Sequence, residues 1–498
     1  MRVNKLILLV LFLASQLIAE PFLAPNDPFL RHEIRLLGDS EEYTGLQNTW
    51  PLDLGGVSGM RAEQSSSLPH NLLDNRISFE SQSGWSPIFT TLGLSDHRVT
   101  ARRFGPEPRS SFATNASVSW MNDRFATKLS LKAFYRMETD WKGRKDEGLA
   151  LDGSYIAARL GNWSASFGQV ERWWGPGWDG SLILSTNARP IPAISIDRRV
   201  PEPFENKWLS WVGPWSFHSF IGQMEDERTV PNSYLWGMRG EVRPTIIDGL
   251  EIGFFRMMQM GGDGYPFNLS VLADAFLSQD NFSSQDVGKS TEPGNQLAGI
   301  DFRWKVLDLP IAIYGQVAGE DEDNFFPNSL FFQYGIEGWR NLGSSTLRFF
   351  AEYADITSYW WTGDPRTRNV TYHHGRYQDG YRYRGRPIGH WADQDSQIFS
   401  FGGLLQRRDG VGWGFNLRTG DLNAGPLKNP PPHDGDLGYS SVSNGVTTDY
   451  FSFDLFNARQ YPQYGLSVHT SLGWEFLEPK GGQKDDGLSG FLSLTRIF

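Results

Sequence analysis

The chain contains no cysteine, which excludes a disulfide framework and a thiolate metal site. Beyond the first twenty residues it also lacks a long apolar run. Charges or glycines interrupt every later apolar stretch, and mean hydropathy is −0.41. No later segment reaches the ~20 residues that a spanning helix needs. A membrane β-barrel escapes that test, because only alternate residues of its strands face lipid. Positive charge is in deficit, with 46 Lys and Arg against 57 Asp and Glu and a net charge of −11, which argues against nucleic acid as a partner. A repeat of the propeller kind, ~40–50 residues long, is missing. So are Gly-x-Ser-x-Gly and the phosphate-binding Gly-Lys loop.

Aromatics and glycine are abundant: 14% aromatic residues, 19 Trp and 54 Gly among 498 residues. That mixture suits barrel girdles, tight turns and sugar-stacking surfaces. The chain opens with Arg2 and Lys5, the apolar run Leu6 to Ala14, and the small residue Ala19. This reads as a secretory signal peptide over 1–19, with Leu17 at the minus-three position of the cut. In residues 20–75, Asp27-Pro28 pairs a capping side chain with Pro at the first helical position. Leu30, Ile34 and Leu37 follow on one face and Gly38 is the expected stop. One or two short amphipathic helices in the periplasm are expected there.

From about Arg76 the period changes to two. Leu129, Leu131, Ala133 and Tyr135 alternate with Lys128, Ser130 and Lys132. Leu347, Phe349, Ala351 and Tyr353 alternate with Thr346, Arg348, Phe350 and Glu352, and Leu250, Ile252 and Phe254 do so less cleanly. Such segments are about the 9 to 11 residues of a tilted membrane strand. Short connections are expected near Asn122-Asp123, Gly161-Asn162, Gly213-Pro214, 244–249, 306–310, 341–343, Asp409-Gly410 and 458–463. Long ones are expected at 137–148, 171–205, 224–232, 260–295, 320–329, 355–394, 422–446 and 477–488. Bacterial barrels pair short periplasmic turns with long external loops, and strand number is even. Counting back from a last strand near 489–498 gives eighteen. Leu492 and Leu494 are in phase with the terminal Phe498, whereas Arg496 is not apolar. The fold class is thus all-β: a transmembrane antiparallel barrel over 76–498, about 18 strands, behind a short N-terminal helical segment.

Two clusters stand out for chemistry. The first holds Glu171, Arg172, Trp173, Trp174 and Trp178, with Arg189 and Asp197 to Arg199 close behind. Indole faces stack on sugar rings and Arg forks grip carboxylates. The same residues could equally glue an inward-folded loop that plugs the barrel, and a plug can form the floor of a site. The second is the loop 355–394, with Trp360, Trp361, Tyr377, Tyr381, Arg382, Tyr383, Arg384 and Arg386. A basic, aromatic loop on an acidic protein fits an acidic glycan or lipopolysaccharide phosphates at the rim. These thirteen residues (Arg172, Trp173, Trp174, Trp178, Arg189 and the eight just named) are the candidate polysaccharide contacts, chosen on composition. His373 and His374 are adjacent, so on an extended chain they point apart and make a poor metal pair. The run Glu320 to Asp323 lacks the Gly-containing EF-hand spacing and is expected as a solvated loop tip. No cofactor is implied.

The run Arg172 to Gly177, with Leu182 to Pro190, resembles the Wzi-type capsule assembly family. So do Asp379 to His390, and Leu30 to Ile34 with Thr49 to Leu52. The resemblance extends over nearly the whole mature chain. It implies a blocked eighteen-stranded outer-membrane barrel acting as a surface lectin, not an enzyme. Such a protein holds capsular or extracellular polysaccharide at the cell surface. Its partners would be that polysaccharide, outer-membrane lipid and lipopolysaccharide, and the barrel assembly machinery. Two other readings stay open: a porin-like sugar channel, and an outer-membrane enzyme whose buried carboxylates stand about 5 to 9 Å apart.

Overall fold

The computed structural model describes residues 21–60, 73, 84–94, 100–138, 145–268, 294–323, 326–358, 371–374, 376–424, 446–461, 464 and 466–497. The signal-peptide segment, Trp360, Trp361 and Phe498 lie outside them.

A closed antiparallel barrel forms the wall. Its first nine strands are β1 (Gly84–Leu94), β2 (Ser110–Met121), β3 (Phe125–Glu138), β4 (Lys145–Ala150 and Tyr155–Leu160), β5 (Trp163–Gly168), β6 (Ala193–Arg198), β7 (Trp215–Gln223), β8 (Tyr234–Val242) and β9 (Leu250–Met260). The second nine are β10 (Gly294–Lys305), β11 (Ile311–Asp323), β12 (Phe326–Asn341), β13 (Ser345–Asp355), β14 (Gln397–Arg407), β15 (Val411–Leu422), β16 (Thr448–Tyr461), β17 (Leu466–Pro479) and β18 (Asp485–Ile497). The two pieces of β4 lie end to end along β3, so the nineteen segments make eighteen strands. Every strand pairs with its sequence neighbour, and β18 closes on β1 through Arg496 with Phe89 and Ile497 with Ile88. Closure removes the unpaired edges that a membrane would penalise.

The alternation read from the sequence sorts as expected. On β3, Phe125, Leu129, Leu131 and Tyr135 face outward and exposed, while Ala126, Ser130 and Phe134 are buried inside. On β13, Thr346, Arg348, Phe350 and Glu352 are buried and Phe349 is exposed outside. Polar and charged side chains therefore line the interior, where they need partners.

Several boundaries differ from expectation. The sixth strand is Ala193–Arg198, inside what the sequence presented as loop 171–205, so that loop spans only 169–192 and the following short-end connection is 199–214. Ile194 and Ile196 do alternate with Ala193, Ser195 and Asp197; the exposed apolar residues Trp208, Leu209 and Trp211 mimic a strand further on. The acidic run lies on a strand rather than in a loop. Residues 320–323 lie in β11, where Glu320 is buried and accepts a hydrogen bond from the Tyr372 backbone. The 477–488 connection is shorter, because β17 and β18 pair out to Leu477 and Asp485.

Helix α1 (Pro28–Asp39) forms where the capping signal placed it: Asp27 accepts from the backbone N–H of Phe29 at 2.9 Å and of Leu30 at 3.2 Å. It runs through Gly38 to Asp39. A second helix, α2 (Leu54–Gly59), follows. The α1 stripe Leu30, Ile34 and Leu37 packs with Trp50, Leu52, Leu54, Val57, Phe104 and Trp173. Phe29 lies on Gly412 of β15, where an added Cβ would stand 2.6 Å from its ring. The helix thus sits within the wall, at the end that carries the short turns.

Candidate functional site

Chain enters the interior from both ends, and a cavity of about 330 Å³ remains beside the plug, lined by Arg109, Asn115, Lys132 and His469. From the short-turn end, α1 aims two arginines at loop 169–192. Arg31 donates to the carbonyls of Gly177 at 2.7 Å, Pro176 at 3.1 Å and Gly175 at 3.3 Å. Its guanidinium lies 4.8 Å from the centre of the Trp178 ring and 4.5 Å from that of Phe104. Arg35 donates to Pro176 O at 2.7 Å and to Glu337 of β12 at 3.0 Å. Glu337 also takes Arg303 at 2.6 Å, Arg348 at 2.8 Å and the Trp178 indole N–H at 2.6 Å, while Asp39 takes Arg303 at 2.8 Å and Arg348 at 3.2 Å. Arg348 donates to His32 Nδ1 at 2.9 Å, which assigns that ring as an acceptor. Burial and the Arg348 charge hold His32 well below the usual histidine range. Charges this deeply buried persist only when each is paired.

Loop 169–192 is consequently a plug. Trp173 and Trp174 form a short antiparallel ladder with Trp50 and Thr49, and Gly175 N donates to Asn48 O at 2.8 Å. Gly175 adopts φ +136°, which favours glycine. The wall holds the rest of the turn. Glu352 accepts from the backbone of Trp178 at 2.8 Å and Gly180 at 3.2 Å. Arg418 pairs with Asp179 at 2.7 Å, and Ser400 donates to Asp179 at 2.7 Å. Burial pushes the Asp179 carboxyl up, but Arg418 outweighs it and holds the group below the ordinary aspartate value.

Residues 371–396, from the long connection between β13 and β14, close over the plug as a lid. Tyr372 donates its hydroxyl to Leu182 O, and Tyr381 donates to Ile183 O at 2.7 Å. Asn187 donates to Pro387 O at 3.0 Å, and Ser185 N to Ile388 O at 2.9 Å. Arg382 is paired with Asp393 at 2.9 Å, and Arg228 with Asp379. Trp174, Leu182, Ile183, Tyr372, Tyr381 and Trp391 share one apolar cluster. Burial, despite the attraction of Asp179, pulls His390 to about 4; burial together with Arg376 does the same to His374.

This arrangement redistributes the thirteen candidate contacts. Arg172, Trp173, Trp174, Trp178, Tyr377, Tyr381, Arg382, Tyr383 and Arg386 are all at or below 9% exposed. Their bonds are spent inside the fold: Arg172 on Val170 O and Ser195, Trp178 on Glu337, Tyr381 on Ile183 O and Arg382 on Asp393. Arg189, bonded to Asp152 at 2.8 Å, and Arg384 are partly exposed. The structure brings the two expected clusters together, but as an interior.

A different set faces out at the long-loop end. Tyr265 is half-buried, Phe267 exposed, and His373, His374, Arg376 and Gln378 partly exposed. The Arg376 guanidinium lies 4.9 Å from the centre of the Tyr265 ring. Phe267 stacks on Tyr234 at 4.1 Å, and Tyr377 supports the group by donating to Gly261 O at 3.1 Å. Sequence reasoning missed Tyr265 and Phe267. The signal available was two aromatics among Gly and Pro in the expected external loop, outnumbered there by polar residues. An aromatic face with a cation beside it can stack a sugar ring and attract an acidic substituent.

A wall of alternating residues, filled by an N-terminal helix and two inward loops, defines a plugged outer-membrane β-barrel. Residues 83–443 match the family described as Capsule assembly protein Wzi, and the chain belongs to that family. A solved structure of Escherichia coli Wzi has a TM-score of 0.78 at 25% identity, covering 96% of this chain and 100% of that one. That protein is described as an outer membrane protein involved in group 1 capsule assembly and as a carbohydrate-binding β-barrel. A Klebsiella pneumoniae protein, described as an uncharacterized 55.8 kDa protein in cps region, is 32% identical over 343 residues. The match takes in 67% of this chain and 65% of that relative, just under two thirds of its length.

Proposed function

We propose that this chain holds capsular or extracellular polysaccharide at the outer surface through its external loops, without transporting it and without catalysis. The observation that carries this reading is the bonded interior. Plug and lid occupy the middle of the barrel, bonded to each other and to the wall, and an accessible aromatic–cation surface lies outside, at Tyr265, Phe267 and Arg376. The carbohydrate binding described for the E. coli structure supports it. The short turns face the periplasm, as in other bacterial barrels, which places α1 at the periplasmic mouth. Lipopolysaccharide beside the rim, the barrel assembly machinery and export through the segment 1–19 complete the proposed setting. The buried carboxylates Asp179 and Glu337 are each paired with arginine, and Glu352 is taken up by the backbone of the plug and the Tyr314 hydroxyl, which supports a structural role for all three.

The test is binding of purified capsular polysaccharide to the barrel and to the variant Tyr265→Ala/Phe267→Ala. Loss of binding at unchanged heat-modifiable mobility supports the assignment. Undiminished binding moves the site elsewhere on the external loops.

A further inference from the structure

The short-end connection 199–214 is long for a periplasmic turn and lies largely exposed. From Glu202 to Trp211 every residue is exposed except the half-buried Phe204. It is nevertheless fixed in place. Arg199 N donates to Asn162 O at 3.0 Å, Arg243 N to Pro214 O at 2.9 Å, and Thr245 N to Trp211 O at 2.9 Å. Water is a poor environment for what this ordered segment displays: Trp208 is 85% exposed and Trp211 51%.

Its direction is set by the wall. Trp215 lies on the outward parity of β7, opposite to the buried Ser216, Phe220 and Gly222. Phe204 stacks on Trp215 at 4.7 Å and 11°, and Trp163, on the outward parity of β5 with Phe167, lies 6.5 Å from Trp215. Arg198 shares the outward parity of β6 with Ile194 and Ile196, and its guanidinium sits 3.7 Å from the Trp215 ring centre. The segment therefore folds against the outside of the wall, continuous with the lipid-facing band. The next three short turns continue the patch with Ile246 and Ile247, Leu307 and Leu309, and Leu342, all exposed. Two other turns on the same rim are polar: Asn122, Asp123 and Arg124 between β2 and β3, and Arg407 to Asp409 between β14 and β15, where Arg407 pairs with Asp409 on the surface.

We infer that residues 199–214, with the turns 243–249, 306–310 and 342–344, form a lipid-binding foot whose partner is the phospholipid of the inner leaflet. Trp and Tyr partition to the headgroup level of bilayers, where their apolar bodies are dry and their polar edges wet. Long cationic side chains beside them extend to the phosphates, a role open to Lys207, which is exposed between Glu205 and Trp208. The sector of the barrel from β6 to β13 is thereby held deeper in the periplasm-side interface than the sector carrying Asp123 and Asp409. Among the described residues nothing covers the apolar side chains of the foot, and their continuity with the lipid band selects lipid over a protein partner.

The absence of native cysteine makes the test direct. Single-cysteine variants W208C, I246C and D409C are spin-labelled in the full-length barrel and reconstituted in vesicles of phosphatidylethanolamine and phosphatidylglycerol, with heat-modifiable mobility confirming the fold. Collision with oxygen should exceed collision with a water-soluble nickel chelate by several-fold at 208 and 246, with the reverse at 409. Labels at both 208 and 246 that are as open to nickel as the one at 409 would overturn the foot and leave this patch for a periplasmic protein.

Discussion

Arginine and aromatic rings meet in two regions of this molecule, with opposite consequences. Inside, Arg31 lies against Trp178 and Phe104 and spends its donors on three backbone carbonyls, while Arg382 is locked to Asp393. Outside, Arg376 lies against Tyr265 with both side chains partly open to solvent. Chemically the pairs are alike. The interior ones are buried and bonded: Arg31 holds α1 to the plug, and Arg382 ties the lid to itself. The exterior one leaves a ring face and a guanidinium accessible, which is what a passing sugar requires. Composition alone does not separate glue from contact; burial does.

The largest effect that could break this comparison is inside. Arg382→Gln removes the buried Arg382–Asp393 ion pair and should cost about 3 kcal/mol, read as a lowered denaturation midpoint and greater protease sensitivity in 371–396. A midpoint unchanged within error would mean that the lid is not held by this pair.

Acid should loosen the same region next. His374 and His390 are held near 4, below the ordinary value of 6.5, by burial. The unfolded chain therefore binds more protons between those values, and stability falls as pH drops from about 6.5 toward 4. Full loss is on the order of 3 kcal/mol per group. Protection factors of the lid amides, corrected for the pH dependence of intrinsic exchange, should fall at pH 4.5 relative to pH 7.5, while those of the strand amides of β12 and β13 hold. Equal protection factors at both pH values would contradict control by the burial of these rings.

Much of this was legible beforehand, and the parts that were not have physical causes. The wall could be read because a barrel strand has one lipid face, so period-two patterning on β3 and β13 survives any interior. The α1 cap and stripe are local and could be read too. The sixth strand was hidden because Ala193–Arg198 is only six residues long, whereas the lipid-facing foot supplied Trp208, Leu209 and Trp211 as a decoy. The inward fold of 169–192 was one of two readings. What no local pattern could give was that the second loop, around Tyr381 and Arg382, folds in as well, since its partners Leu182, Ile183 and Asp393 are fixed only by tertiary structure. The exterior site was missed for the converse reason: Tyr265 acquires its cation from Arg376, more than a hundred residues away.

The smallest effect sharpens the comparison from outside. Arg376→Gln should change stability by no more than about 0.5 kcal/mol. It should weaken binding of an acidic polymer several-fold, about 1 kcal/mol, and flatten its salt dependence, because exposed charge is screened over about 10 Å at 0.1 M salt. A neutral polymer should be affected less. Equal losses for both polymers would assign recognition to stacking alone.

One preparation read in two ways tests most directly whether polymer is held outside a closed barrel. Purified full-length protein is inserted in a planar bilayer for single-channel recording while a portion is titrated with capsular polysaccharide. The structure predicts no open-channel current, no change of current on adding polymer, and saturable binding in the same material. A steady conductance that polymer blocks from the lumen would contradict it and return the chain to the porin-like reading.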